Sequence, residues 1–273
     1  MSSFFRLLDL HSLDLHKSPR AVRQMRDGEI DGIILRGVYD PEDCAHICQR
    51  LETGQHSLFR TDFPPIMRAF FLGENLNLAD PDLRQYFALA SAFQDGLRDL
   101  FHPYEDLEER ICRLFEAIDH GWRYCAAPGP NGDMRHLFTT IRAHLPGGFI
   151  PPHFDNEQAF RESYRFVNRA ISGDLFSFVL TLSRPEAGGA LEIFNISHAG
   201  KAWHMVDGGD DAACIPLDDA EWVRLSVSPG DLLLFNSSRY LHRVTPVEGT
   251  RTRWTVCSFM SEARSGNAVY CWG

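Results

Sequence analysis

The chain has 273 residues, 44% hydrophobic and 23% charged, a globular composition long enough for one large domain or two small ones. Its 27 Lys and Arg against 37 Asp and Glu leave a formal net charge of −10, which opposes non-specific attraction to nucleic-acid phosphates or anionic membranes. The sequence holds no apolar run of about 18 residues that could span a bilayer, so neither nucleic acid nor membrane is expected as a partner.

The N-terminal stretch MSSFFRLLDLHSLDLHKSPR interrupts its apolar residues with Asp9 and Asp14 and so lacks the unbroken apolar segment of a secretory leader; a cytoplasmic location is the expectation. IDGIILRGVYD (30–40) reads as a short strand and a turn. DPEDCAHICQRLETG then reads as a helix opened by Asp40-Pro41 and stopped by Gly54. Residues 80–101 and 105–121 repeat apolar positions at i, i+3 and i+4 with acids placed early, the pattern of two scaffold helices. The cysteines at 44, 48, 112, 125, 214, 257 and 271 are odd in number, scattered and never spaced Cys-x-x-Cys, which argues against a disulfide framework or a structural zinc.

From about residue 137 the pattern changes to short apolar or alternating runs bounded by Gly, Pro and Asp: LFTTIRAHL, LFSFVLTLS, ALEIFNIS, EWVRLSVS, DLLLFN, HRVTPV and RWTVCSFM. Such spacing predicts an antiparallel sandwich or barrel. No linker-like composition separates the two halves, so the expectation is one domain over 1–273, with 1–136 a mainly helical scaffold and 137–262 the β core. The polar and aromatic stretch NEQAFRESYRFVNRAISG (156–173) falls where a lid would be useful.

FIPPHFDNEQ (149–158) places His153 and Asp155 two apart after a Pro-Gly-Gly turn. In an extended segment residues i and i+2 share a face. The pair is then either a surface ion pair or two thirds of a metal site, and the second reading needs a third ligand from a later strand. His242 supplies one, 87 residues beyond Asp155. Two histidines and one carboxylate on one face of an octahedral ion leave three positions open, which suits a non-haem Fe(II) oxygenase that binds a chelating cosubstrate and O2. The other histidines have no partner at ligand spacing, and Asp231 in Pro229-Gly230-Asp231 reads as a turn cap.

These motifs together resemble the iron(II)- and 2-oxoglutarate-dependent dioxygenases, in the branch that includes prolyl and phytanoyl hydroxylases. The resemblance covers roughly 137–262 and runs in order: Pro146-Gly147, His153-x-Asp155, Gly188-Gly189, Pro229-Gly230-Asp231 with Phe235, and His242 through Pro246-Val247. It implies a mostly β fold with α elements, a double-stranded β-helix (jelly-roll, cupin-like) core packed against N-terminal scaffold helices. It implies Fe(II), 2-oxoglutarate and O2, with His153, Asp155 and His242 on the metal.

A cation for the distal carboxylate of 2-oxoglutarate is also required, and an arginine fork meets a carboxylate bidentately. The family places it about ten residues beyond the distal histidine. Arg251 lies nine beyond and Arg253 eleven, on the same face if both are in the strand, so both stay candidates. Arg142 and His144 share a face of an earlier strand with Thr140 and form a polar inward set, although the family often has a tyrosine near the position of His144. Related halogenases resemble the same pattern but carry Gly or Ala where the acidic ligand would be, leaving room for chloride; Asp155 therefore favours hydroxylation.

GGFIPPHFDNE is also similar to a smaller group, the N-substituted amino-acid hydroxylases and indole-alkaloid halogenases. That likeness implies a small-molecule substrate, an amino-acid derivative or natural-product intermediate. Ile150, Phe154, Asn156 and Phe160 would lie near it, with Arg161 or Arg165 to hold a carboxylate. The alternatives are a peptidyl or protein side-chain hydroxylase, which needs an open groove, and a cupin-like protein that binds metal without turnover.

Overall fold

A computed structural model describes residues 4–77, 83–156, 161–197, 217, 219–266 and 268–273. The front of the chain comprises β1 (Leu7–His11), α1 (Ala21–Arg26), β2 (Gly32–Arg36), α2 (Pro41–Glu52), β3 (Arg60–Asp62), β4 (Ala69–Leu72), α3 (Arg84–Phe101), α4 (Leu107–Ala117) and β5 (Arg123–Ala126). The back adds β6 (Thr140–His144), β7 (Ile150–His153), α5 (Arg165–Ala170), β8 (Phe176–Thr181), β9 (Ala187–Gly188), β10 (Leu191–Ser197) and β11 (Trp222–Leu225). It closes with β12 (Leu232–Phe235), β13 (Tyr240–Val244), β14 (Val247–Glu248), β15 (Arg253–Glu262) and β16 (Ala268–Trp272).

Among the described residues a ten-stranded sheet runs β1-β2-β12-β8-β15-β6-β4-β3, extended by β16 on β15 and β5 on β16. A four-stranded sheet, β11-β10-β13-β7, lies across it, and β14 pairs with β9. This is the expected jelly-roll core. The front is less purely helical than its periodicity implies, because β1 to β5 all join the large sheet. Those strands are three to five residues long, too short for a period to register.

Alternation along the large sheet divides the interior into two layers. Leu180, Leu232, Leu234, Ile141, Trp254 and Val256 turn outward and meet the helices, where Phe115 of α4 packs edge-on against Phe178 at 5.5 Å. Ile34, Leu233 and Phe235 turn inward and meet Ile150, Leu191, Ile193 and Val244 of the small sheet. Each fully buried side chain of this size contributes about 1.5–3 kcal/mol.

Side-chain caps fix the helices that back the sheet. Asp40 accepts from the Glu42 N–H ahead of Pro41, and Asp106 accepts from the Glu109 N–H with Glu108 and Glu109 in the first turn. Asp231 accepts from Arg36 Nη1 at 2.8 Å and from the Gly37 N–H at 2.9 Å, tying β12 to the end of β2 as a turn-capping carboxylate.

His136 lies buried between Tyr86 and Phe87, its Nδ1–H donated to the Ala127 carbonyl at 3.1 Å. Burial pulls its pKa down to about 4. The unfolded imidazole takes up a proton near its ordinary 6.5 whereas the folded one resists until about 4. Stability is therefore expected to fall by roughly 3 kcal/mol between those limits as pH drops. Denaturant midpoints of wild type and His136→Gln across pH 4–7 check this, the variant losing that part of the slope.

Candidate metal and cosubstrate site

β7 contains Pro151 and Pro152, which have no N–H to give a ladder; the strand lies at the edge of the small sheet, where proline is tolerated. Its last residue, His153, is in register with His242 of the antiparallel β13. The two rings meet at 4.2 Å between centroids, and Phe235 stands edge-on to His242 at 5.1 Å. Asp155 follows two residues after His153 and brings Oδ1 to 3.4 Å from His153 Nε2 and 3.8 Å from His242 Nε2. One donor atom from each of the three lies within 4.8 Å of the others.

Backbone carbonyls decide the tautomers. His153 Nδ1 faces the Pro151 oxygen at 2.8 Å and His242 Nδ1 faces the Tyr240 oxygen at 3.0 Å. A carbonyl only accepts, so both protons sit on Nδ1 and both Nε2 lone pairs are free for a metal. Burial, aided by the neighbouring His153, pulls the His242 pKa down to about 4, while Asp155 opposes it. Burial alone would raise the Asp155 pKa; His242, His153 and the Ser177 hydroxyl outweigh it and hold the carboxyl well below its usual range.

Ser177 and Ser237 are site residues that sequence reasoning missed. Ser177 Oγ donates to Asp155 Oδ2 at 2.6 Å and lies 2.7 Å from Ser237 Oγ. The Ser177 proton goes to the carboxylate, so Ser237 donates to Ser177 in turn. The Asp155 N–H donates to the Ser237 carbonyl at 3.2 Å. This relay pins Oδ2 and leaves Oδ1 for the metal. Ser177→Ala is expected to weaken metal binding about 10- to 100-fold with the fold intact, measured by Mn(II) or Fe(II) titration. The available signal was a serine at inward parity in the otherwise apolar LFSFVL.

The inner face of the large sheet carries a second polar set. Arg253 is in register with His144, and Thr255 with Arg142. Arg253 Nη1 donates to His144 Nδ1 at 3.3 Å, so the single proton of a neutral ring is on Nε2. Burial, then the charges of Arg253 and Arg142, push His144 well below its ordinary pKa and keep it neutral. Its Nε2 and Arg142 Nε are buried without a hydrogen-bond partner. Arg142 instead lies over the rings of Phe71 and Phe63, at 4.9 and 5.8 Å. Burial lowers the Arg253 pKa to about 10, still charged at neutral pH. Among the described residues neither arginine has a carboxylate partner. Two cations and an unpaired N–H on the face shared with Ser177 fit a dicarboxylate cosubstrate, as the N, N, O donor set fits iron.

Arg251 precedes β15, is exposed, and gives its backbone N–H to Glu186 at 3.0 Å. Ile150 faces the interior beside Val244. Phe154, just past the end of β7, packs against Phe194 and Leu241, so it is a packing residue of that outer layer. Asn156 Oδ1 is buried without a partner. Arg161 is exposed and donates to the Asn77 carbonyl, and Arg165 pairs with Glu162 at 2.7 Å. Phe160 lies outside the described residues, as do 157–159 of the expected lid. The Tyr164 hydroxyl donates to Asn77 Oδ1 at 2.6 Å, and burial and the Asp155 charge hold its pKa high.

No helix among the described residues is long and apolar enough to cross a membrane. No curated protein sequence matches the chain. Among solved structures it is similar to an N-substituted L-amino acid dioxygenase from Burkholderia ambifaria AMMD, with 18% identity, a TM-score of 0.62, and 95% of this chain and 92% of that one covered. The same description in complex with alpha-KG, also from Burkholderia ambifaria AMMD, matches with 17% identity, a TM-score of 0.59 and the same coverage. The family described as carrier-protein-independent halogenase WelO5 matches residues 4–273. The chain therefore belongs to the WelO5 family, within the iron(II)- and 2-oxoglutarate-dependent oxygenases.

Proposed function

We propose that this protein hydroxylates an unactivated C–H bond of a free small molecule, an amino-acid derivative or a natural-product intermediate, with release of succinate and CO2. The observation that carries the choice is Asp155, whose Oδ1 completes the donor set with His153 and His242. Iron(II), 2-oxoglutarate and O2 together supply the oxidising power for C–H cleavage. The residues do the rest. His153, Asp155 and His242 hold the metal, and Ser177 keeps the Asp155 carboxylate turned to it. Arg253, with His144 and Arg142 beside it, holds the distal carboxylate of the cosubstrate. Phe235, Ile150 and Val244 keep the interior dry. Asn156 Oδ1, a buried acceptor next to Asp155, offers itself to a substrate N–H. Support for a free substrate comes from the family's description as carrier-protein-independent and from the amino-acid dioxygenase of like fold.

The family match favours a second reading, halogenation, in which chloride would need a metal position that Asp155 here occupies. One experiment separates the two. Purified protein with Fe(II), 2-oxoglutarate and saturating chloride is offered N-acyl amino acids, indole derivatives and a proline-rich peptide. Succinate release with a product gaining one oxygen supports the proposal; a chlorinated product, or turnover of the peptide alone, contradicts it.

The Gly188-Gly189 turn supports the Arg253 assignment. Both glycines have positive φ, +66° and +62°, and a Cβ on Gly189 would sit 2.9 Å from Arg253 Cδ. A side chain there must displace the arginine stem. Gly189→Ala is expected to raise the KM for 2-oxoglutarate about 10-fold, the loss of one good charge-assisted contact, with metal affinity unchanged.

A further inference from the structure

Asp31 lies just ahead of β2, far in sequence from the candidate metal ligands, and is 1% exposed. Arg6 gives its Oδ2 both a backbone N–H, at 2.9 Å, and Nε, at 3.0 Å. Burial alone would raise the Asp31 pKa; Arg6 and the Tyr240 hydroxyl outweigh it and keep the group an anion. Its Oδ1 accepts from that hydroxyl at 2.9 Å. The Tyr240 ring is itself buried, edge-on to Phe5 at 5.7 Å, and the Tyr240 carbonyl is the one that takes the His242 Nδ1–H. The main chain makes a second link. The Asp31 carbonyl accepts from the Asn236 N–H at 3.3 Å, and the next residue, Ser237, holds Asp155 through its own carbonyl and through Ser177.

Strand pairing leaves this stretch of β13 loosely specified. From Ile193, opposite His242, to Ser197, opposite Tyr240, β10 advances four residues while β13 spans two, and a bulge of this kind interrupts the ladder. On the other side β7 ends at His153, opposite His242, so its ladder stops short of Tyr240. A side-chain anchor is then what fixes where the Tyr240 carbonyl points. Partners that orient a metal-binding histidine are worth about 10- to 100-fold in metal affinity.

We propose that Asp31 is a positioning residue for the metal site: through the Tyr240 hydroxyl it holds the carbonyl that aims His242, and through its own carbonyl it holds the turn that brings Ser237 to Asp155. This role rests on the reading of His242 and Asp155 as metal ligands. It ties a residue at the start of β2, outside the 137–262 core, to two of the three donors.

The test uses full-length protein labelled with ¹⁵N at its histidine rings, with and without Zn(II). Tyr240→Phe removes only the hydroxyl and leaves Asp31 on Arg6; Asp31→Ala removes the anchor itself. Tyr124→Phe is the control. Tyr124 donates to the buried Asp119 at 2.8 Å beside Arg26, the same phenol, carboxylate and arginine set, with no hydrogen bond to the metal ligands among the described residues. His242→Ala and His153→Ala identify the two Nδ1–H signals. Solvent exchange of the His242 Nδ1–H is expected to be several-fold faster in Tyr240→Phe and Asp31→Ala, while that of His153, held by Pro151, stays as in wild type. Mn(II) should bind about 10-fold more weakly to both variants and with wild-type affinity to Tyr124→Phe. Unchanged exchange in folded Tyr240→Phe, loosening of His153 as much as of His242, or Mn(II) affinity in Tyr240→Phe no weaker than in Tyr124→Phe would overturn the proposal. Should Asp31→Ala not fold, Tyr240→Phe decides by itself. If Zn(II) moves neither ring signal of wild type, the metal reading fails, and the exchange comparison without Zn(II) still decides whether Asp31 orients His242.

Discussion

Replacing Asp155 by Ala is expected to lower 2-oxoglutarate-dependent hydroxylation by more than about 100-fold, beyond what loss of an outer-shell partner costs at a metal site. The reason is geometric and electrostatic together. Asp155 Oδ1 is one of three donor atoms within 4.8 Å, and it brings the only negative charge among them. Without it the two Nε2 atoms remain, still oriented by the Pro151 and Tyr240 carbonyls, but the anionic position is vacated beneath the Ser177 hydroxyl. A small anion fits that vacancy. Asp155→Gly with chloride is therefore expected to regain part of its succinate release, and some product should carry chlorine in place of the new hydroxyl. Mass analysis of products with and without chloride checks this. Near-wild-type hydroxylation in Asp155→Ala would mean that the carboxylate is not a metal ligand.

Arg253→Ala carries the second large effect. Truncating one member of a buried charged pair costs roughly 2–5 kcal/mol, which corresponds to a loss of at least about 30-fold in affinity for 2-oxoglutarate. Turnover at saturating cosubstrate should change much less. Arg251 is exposed and outside the strand, so Arg251→Ala should alter affinity by no more than about 2-fold, as for other solvent-screened charges. Arg253→Lys keeps the charge but loses the planar fork and is expected to fall between wild type and Arg253→Ala. Initial rates against 2-oxoglutarate concentration for the three variants check the set; an Arg251→Ala defect larger than that of Arg253→Ala would reverse the assignment.

The candidate metal ligands were legible because the chemistry has a spacing: His-x-Asp, with the histidine closing β7 and the aspartate two residues on, and a histidine on a later strand. Most back-half strands were legible too, with LFSFVLTLS becoming β8 and RWTVCSFM the start of β15. Arg251 and Arg253 could not be separated by parity because that argument assumes both are in the strand. The strand begins at Arg253, and the backbone before it is held by Glu186. The Ser237-Ser177-Asp155 relay joins residues 22 and 60 apart in sequence, and such contacts leave no local trace. Phe154 shows the opposite limit. Its neighbours in sequence are candidate metal ligands, yet just past the end of β7 it packs in the far layer with Phe194 and Leu241. Strands as short as β3 and β4 escape any periodicity and were found only once β6 was there to pair with β4.

The most direct measurement is an anaerobic titration of metal-free protein with Fe(II) and then 2-oxoglutarate, recorded in the visible range. The site described here predicts a charge-transfer band from the iron-bound cosubstrate, saturating at one equivalent of each, weakened in Arg253→Ala and unaffected in Arg251→Ala. Wild-type protein that binds iron but develops no band with 2-oxoglutarate would contradict it, and His153, Asp155 and His242 would then belong to a metal site of another kind.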